Sequence, residues 1–241
     1  MKDAKIRLFV TAPLQAGQAV ALDGAQANYL FNVMRLARGA QVLLFNGADG
    51  EWRAEVAEAG KRGGILICAA QTAPLRLPPD LWLLFAPLKK ARTDFVVEKS
   101  VEMGAARICP VQTQHTNADR IRRDKMLAHA VEAAEQCGAT FVPQVEDLVP
   151  LDRVLQNWPA DRALFWADEA LAGQPLPMTG DKSAPAALLI GPEGGFSDAE
   201  KTQLRALPFV RPFSLGPRIL RAETAVVAAL TLWQVAMGDW G

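Results

Sequence analysis

Residues 186–200, Ala186-Ala187-Leu188-Leu189-Ile190-Gly191-Pro192-Glu193-Gly194-Gly195-Phe196-Ser197-Asp198-Ala199-Glu200, decide the fold. The apolar run Ala186–Ile190 reads as a strand covered on both faces. Ser197 with Glu200 three residues on is a capping box, and it opens a helix to about Leu207. Between them lie three glycines in five residues, where a backbone can approach a ligand closely. The N–H groups of a helix start suit an anion. A tight strand-to-helix turn would use the same glycines, so the loop alone leaves both readings open. It is not a P-loop, because Phe196 follows Gly195 where Lys and a hydroxyl residue are needed; the dinucleotide pattern GxGxxG is absent too.

The same alternation extends in both directions. Strands are expected at Leu81–Ala86, Ile108–Val111, Arg162–Ala167 and Phe209–Leu215. Helices are expected at Asp94–Met103, capped by Thr93 and ended by Gly104, at Arg123–Cys137, stopped by Gly138, and at Ala222–Met237. This pattern is that of an α/β domain with a mainly parallel sheet. Upstream the punctuation is denser. Arg7–Val10, Gln41–Phe45, Glu51–Val56 and Gly64–Ala69 read as short strands, and Asn46-Gly47-Ala48-Asp49-Gly50 as a turn. A short helix fits Ala25–Leu36. Such spacing predicts a small barrel. The paired prolines of Leu75-Arg76-Leu77-Pro78-Pro79-Asp80 mark a linker.

Composition narrows the class. Of 241 residues, 50% are apolar and 22% charged, which excludes disorder, collagen and coiled coil as the main structure. Net charge is zero, but it is unevenly spread: +2 over residues 1–75, +4 over 76–125, −7 over 126–210 and +1 over 211–241. A blanket polycation is excluded; an anionic partner for the first half is not. Cys68, Cys109 and Cys137 are widely spaced and only two histidines exist, so no zinc site is expected. The cysteines are expected as buried small apolar residues in a reducing compartment. MKDAKIRLFV lacks the apolar stretch of a secretory signal, and Ala225–Ala236 is too short to span a bilayer, so the expected location is cytoplasmic.

A second strand end carries Leu215-Gly216-Pro217-Arg218-Ile219-Leu220-Arg221-Ala222-Glu223-Thr224. Ligands in open α/β sheets bind outside the carboxyl ends of strands, so this loop and the glycine loop can close one pocket. Arg221 and Glu223 also fit a surface ion pair at a helix start.

Together the segments LLIGPEGGFSDAE and LGPRILRAETA resemble the SPOUT class of methyltransferases. Within it the chain is similar to the family that methylates N3 of a uridine in 16S ribosomal RNA. The resemblance extends to RLFV, to NVMRLARGAQVLLFNGADGEWRAEV, to KSVEMGAARICPVQT and to AAEQCG. It implies a PUA-like, RNA-binding β-barrel over residues 1–73. It implies a SPOUT-like trefoil-knot methyltransferase domain over residues 74–241, binding S-adenosylmethionine and forming a homodimer. Carried onto this chain, Ile190, Gly191, Pro192, Glu193, Gly194 and Gly195 form the first cofactor loop. Leu215, Gly216, Ile219, Leu220 and Thr224 complete the cofactor site. Arg221 and Glu223 face the reacting centre. Arg7 and Arg35 contact 16S RNA or the small subunit, and no metal or membrane is required. Ala167, after the strand ending in Trp166, is a further candidate for contact with the cofactor. The chain departs from the family at Tyr29 and Asn32, and at Ala139, Thr140 and Phe141 after EQCG, positions where relatives carry basic or histidine side chains.

Uridine N3 carries a proton and is a poor nucleophile until it is lost, so the resemblance calls for a base or a cation beside the carbonyl oxygens. Arg221 suits the cationic role. Glu223 suits the base or the orienting of Arg221, with Glu193 in reserve as base. Arg38 and Arg53, Lys89, Lys90 and Arg92, and Arg120, Arg122 and Arg123 extend a possible phosphate track. Two other classes compete: a catalytically silent RNA-binding protein of the same fold, and an α/β enzyme acting on an anionic small molecule.

Overall fold

A computed structural model describes residues 5–60, 62–118, 120–174, 178–182 and 184–240. The chain forms two compact units: residues 1–77 with 134–142, and residues 78–133 with 143–241.

The first unit holds β1 (Arg7–Phe9), β2 (Ala19–Leu22), α1 (Gly24–Ala27), a π-helical stretch Asn28–Val33, β3 (Gln41–Phe45), β4 (Glu51–Ala59) and β5 (Gly64–Ala73). The strands pair in the order β1-β3-β4-β5-β2, with only β1–β3 parallel. Leu8 of one edge strand and Val20 and Leu22 of the other enter one core cluster with Leu44, Val56 and Leu66. A flat sheet cannot bring both edges into one core, so this sheet curls. Register shifts along β4–β5 supply the bend. The expected turn is built by Asn46, whose side-chain oxygen accepts from the N–H groups of Ala48 and Asp49. β2 has no counterpart in the sequence reading. The helix expected over Ala25–Leu36 is one α-turn running into π geometry.

Residues 134–142 belong to this unit, which the expected boundary after residue 73 does not capture. The cause is Arg7. Its guanidinium donates to the carbonyls of Ala134, Glu135 and Ala139, pairs with Glu51 at 2.6 Å and stacks over Phe45. Carbonyls at a helix end lack intrahelical partners and favour a cation.

The second unit contains β6 (Leu81–Phe85), α2 (Lys90–Glu102), β7 (Arg107–Gln112), α3 (Arg123–Cys137, its last turn in the first unit), the short β8 (Gln144–Val145) and β9 (Val149–Pro150), α4 (Leu151–Gln156), β10 (Ala163–Ala167), β11 (Ala186–Ile190), α5 (Asp198–Ala206), β12 (Val210–Phe213) and α6 (Ala222–Met237). Its sheet runs β12-β10-β11-β6-β7-β8, every pair parallel. Leu84, Leu164, Trp166, Ala187 and Leu189 pack with Leu151, Leu155 and Leu204 of α4 and α5. Leu83, Phe85, Leu188 and Ile190 alternate to the opposite face and are also buried. That is why these strands read as continuous apolar runs.

Two local expectations change. Thr93 does not cap α2; it lies inside the helix and its hydroxyl exchanges hydrogen bonds with the backbone of Leu88. Cys68 is buried, but Cys137, at the end of α3, is exposed. Burial pushes the Cys109 thiol up to about 12.

Candidate active site

β10 lies between β11 and β12 in the sheet. The chain leaving β11 must therefore pass the end of β10 to reach β12. At that crossing the loops after β10, β11 and β12 enclose an open cleft of about 750 Å³, solvent at its mouth included. It stands at the carboxyl ends of three parallel strands, where such sheets take ligands.

The glycine loop forms one wall. Ile190, Gly191, Pro192, Glu193 and Gly195 line the cleft. Gly191 is required by a neighbour: a Cβ there would stand 2.7 Å from the Phe196 ring. Gly195 has φ +67°, and its Cβ would meet the Glu169 carboxylate at 2.8 Å. Gly194 faces away from the cleft, toward His115. The His115 Nδ1–H donates to the carbonyls of Gly194 and Gly195 at 3.2 and 3.1 Å. Two carbonyl acceptors require the proton on Nδ1. Ser197 then opens α5 with the expected capping box.

The second wall comes from the loop after β12. Leu215, Gly216, Ile219 and Leu220 line the cleft, as do Arg218, Ala222 and Ala225. Ile219 is 79% exposed, an apolar side chain held at the rim without cover. Thr224 does not line the cleft and is exposed. Arg221 is the exposed N-cap residue of α6 and offers no side-chain cap. Glu223, in the first turn, pairs with Arg92 (Nε–Oε1 3.5 Å), not with Arg221. Arg92 also pairs with Glu193 at 2.9 Å. The second oxygen of Glu223 is buried and takes no hydrogen bond. An unpaired buried acceptor costs about 1–3 kcal/mol.

The third wall is the loop after β10. Ala167 lines it, as expected, and so do Asp168, Glu169 and Ala172, which the sequence reading does not include. Asp168 is almost fully buried. Its carboxylate accepts from Ala170 N–H and pairs with Arg205 at 2.8 Å. Glu169 pairs with Lys201 at 3.2 Å. The cleft thus combines apolar side chains with charges of both signs. Among the described residues, no group of three or more His, Cys, Asp or Glu is placed to hold a metal, and no helix is long and apolar enough to cross a membrane.

Of the expected RNA contacts, Arg35 is exposed and has φ +55°, the one non-glycine residue described with positive φ. Arg7 is occupied within its own unit, with a side chain only 11% exposed. Its charge is spent on Glu51 and a helix end, so it does not present a guanidinium for phosphate.

Comparison with known proteins agrees with this geometry. Residues 75–234 match the family model of an RNA methyltransferase domain, and residues 22–67 that of an RNA methyltransferase PUA domain. The chain belongs to the RNA methyltransferase family. Ribosomal RNA small subunit methyltransferase E of Synechocystis is 30% identical, over 92% of this chain and 75% of the relative. The enzyme of that name from Buchnera aphidicola is 29% identical over 99% of each chain. A Legionella pneumophila protein described as a methyltransferase, solved with bound S-adenosylmethionine, superposes with a TM-score of 0.86 at 32% identity, covering 97% of this chain and 98% of its own. Ribosomal RNA small subunit methyltransferase E from Neisseria gonorrhoeae, bound to S-adenosyl methionine, gives 0.83 at 26%, covering 98% and 99%.

Proposed function

We propose that this protein transfers the methyl group of S-adenosylmethionine to N3 of a uridine in 16S ribosomal RNA. The observation that carries the proposal is the three-walled cleft at the ends of β10, β11 and β12. Its residues fit the cofactor. Gly191 and Gly195 bring the backbone of the loop to the wall of the cleft. Leu215, Ile219 and Leu220 offer apolar surface to an adenosine. Charges of both signs match a ligand bearing an ammonium and a carboxylate. Relatives matched along nearly the whole of this chain are named for small-subunit RNA methylation, and two similar structures hold this cofactor.

When bound, the cofactor supplies an electrophilic methyl on sulfonium. The chain's own residues must then hold the base and take its proton. Glu223 has a buried carboxylate oxygen without a hydrogen-bond partner, next in the chain to Ala222 of the cleft wall, and is the acceptor we assign to N3–H. Arg221, exposed at the start of α6, faces charge that develops on the adjacent carbonyl oxygens. The base must leave its stack to reach the cleft. Arg35, exposed and in a strained backbone conformation, is the assigned phosphate contact of the first unit.

We also assign a homodimer. Leu232 and Val235 are 45% and 58% exposed on α6, an apolar stripe that a two-fold partner would cover.

The test is methyl transfer with labelled cofactor to 16S RNA, naked and in small subunits from an undermodified strain, followed by nucleoside analysis. N3-methyluridine is expected. Label on another atom or nucleoside would refute the assignment; no transfer, with RNA binding intact, would favour the silent RNA-binding module.

A further inference from the structure

We propose that Arg92 is a positioning residue for methyl transfer: it holds the Glu223 carboxylate in register with the glycine loop, using Glu193 as its anchor. The inference rests on the reading of the cleft as a methyl-transfer site.

One guanidinium reaches two carboxylates from different parts of the second unit. Nη1 meets Glu193 Oε1 at 2.9 Å, in the loop after β11. Nε meets Glu223 Oε1 at 3.5 Å, in the first turn of α6. A planar guanidinium offers several donors in fixed directions and can serve two acceptors; an ammonium is a point charge on a flexible stem. The place of Arg92 is not explained by its own helix. It stands in the first turn of α2 beside Lys89 and Lys90, with no acidic residue in that turn. Cations are disfavoured at a helix N-terminus. Its charge is offset instead by carboxylates brought from elsewhere.

The consequence falls on Glu223. Oε1 is held toward Arg92, while Oε2 is buried without a partner. The carboxylate therefore has one oxygen in ion-pair reach of Arg92 and one without a hydrogen-bond partner. Its twist is set by Arg92, and Arg92 is fixed in turn by Glu193. The loop bearing Glu193 is braced on its other side by His115. Ordering the loop by cofactor thus also orders the acceptor of the RNA proton. In the transfer, Glu223 takes the N3 proton, the N3 lone pair forms the new N–CH3 bond, and the electron pair of the broken C–S bond stays on sulfur. A simple RNA-track role is disfavoured because both arms of Arg92 already have carboxylate partners.

The test uses full-length R92A, R92K, E193Q and R92A/E193Q. In R92A, kcat on 16S RNA is expected to fall by about tenfold or more, while KM for RNA and the cofactor Kd stay within about threefold. R92K should recover only part of kcat. The double variant should be no slower than R92A, because Glu193 acts through Arg92. In the cofactor-free protein, amide exchange should rise in R92A both at the glycine loop and in the first turn of α6. Wild-type kcat in R92A, or additive losses in the double variant, would overturn the proposal. So would a raised KM with a salt slope lower by about 1, which marks a phosphate contact. Loss of transfer in the wild type itself would sink the functional reading instead, and the exchange experiment would still decide whether Arg92 couples the two segments.

Discussion

Gly191 lies so close to Phe196 that a Cβ on residue 191 would stand 2.7 Å from the ring. Phe196 is itself buried against Trp166, edge to face at 5.9 Å, in the core beneath the sheet. The ring cannot retreat without disturbing that core. Gly191→Ala should therefore displace the loop, with an overpacking penalty of about 1–3 kcal/mol. Cofactor affinity should fall about tenfold, measured by equilibrium dialysis, and Phe196→Leu in the same chain should restore part of it.

Arg7 and Arg35 should separate cleanly. Arg7→Ala removes hydrogen bonds from a charged donor to three carbonyls and leaves Glu51 without its cationic partner. A loss of about 2–3 kcal/mol is expected in urea unfolding. Arg35→Ala should leave stability nearly unchanged. It should weaken RNA binding and lower its salt slope by about 1. A stable Arg7→Ala protein with weakened RNA binding would reverse these assignments.

His115 braces the glycine loop through two carbonyls. His115→Ala should loosen the loop and weaken cofactor binding about three- to tenfold, the loss of one or two net hydrogen bonds. His115→Asn, which retains a donor, should lose less. Calorimetry on both variants checks this.

Hydrogen bonds from Leu14 N–H and the Asn46 amide hold the Asp49 carboxyl below the usual aspartate range. A depressed folded-state pKa contributes stability above the unfolded value, and this is lost as pH falls through the folded value. Asp49→Asn should therefore destabilise the protein more at pH 7 than at pH 3. Equal effects at both pH values would contradict it.

The α/β half of the fold follows from periodicity: Arg123–Cys137, Ala186–Ile190 and Ala222–Met237 form elements with the expected bounds. Residues buried on both faces of a parallel sheet are apolar without interruption, so chain order alone reveals them. What the sequence did not reveal depends on long-range contact. The resemblance puts Arg7 at the RNA, and nothing local says that it meets carbonyls more than 120 residues away. Proximity in sequence offers Arg221 as one partner for Glu223, whereas the structure gives it to Arg92. Asp168 and Glu169 carried a usable signal, since they follow the strand-like run ending at Ala167, but no glycine marks that loop. His115 carried none.

Calorimetric titration with S-adenosylmethionine tests the central claim most directly, that the cleft holds this cofactor. Wild type and Leu220→Asp, which buries a charge in the apolar wall, should be titrated side by side. The account predicts one site per chain in the wild type and at least about a tenfold loss in the variant. A folded wild-type protein that does not bind, or a variant that binds equally well, would contradict it.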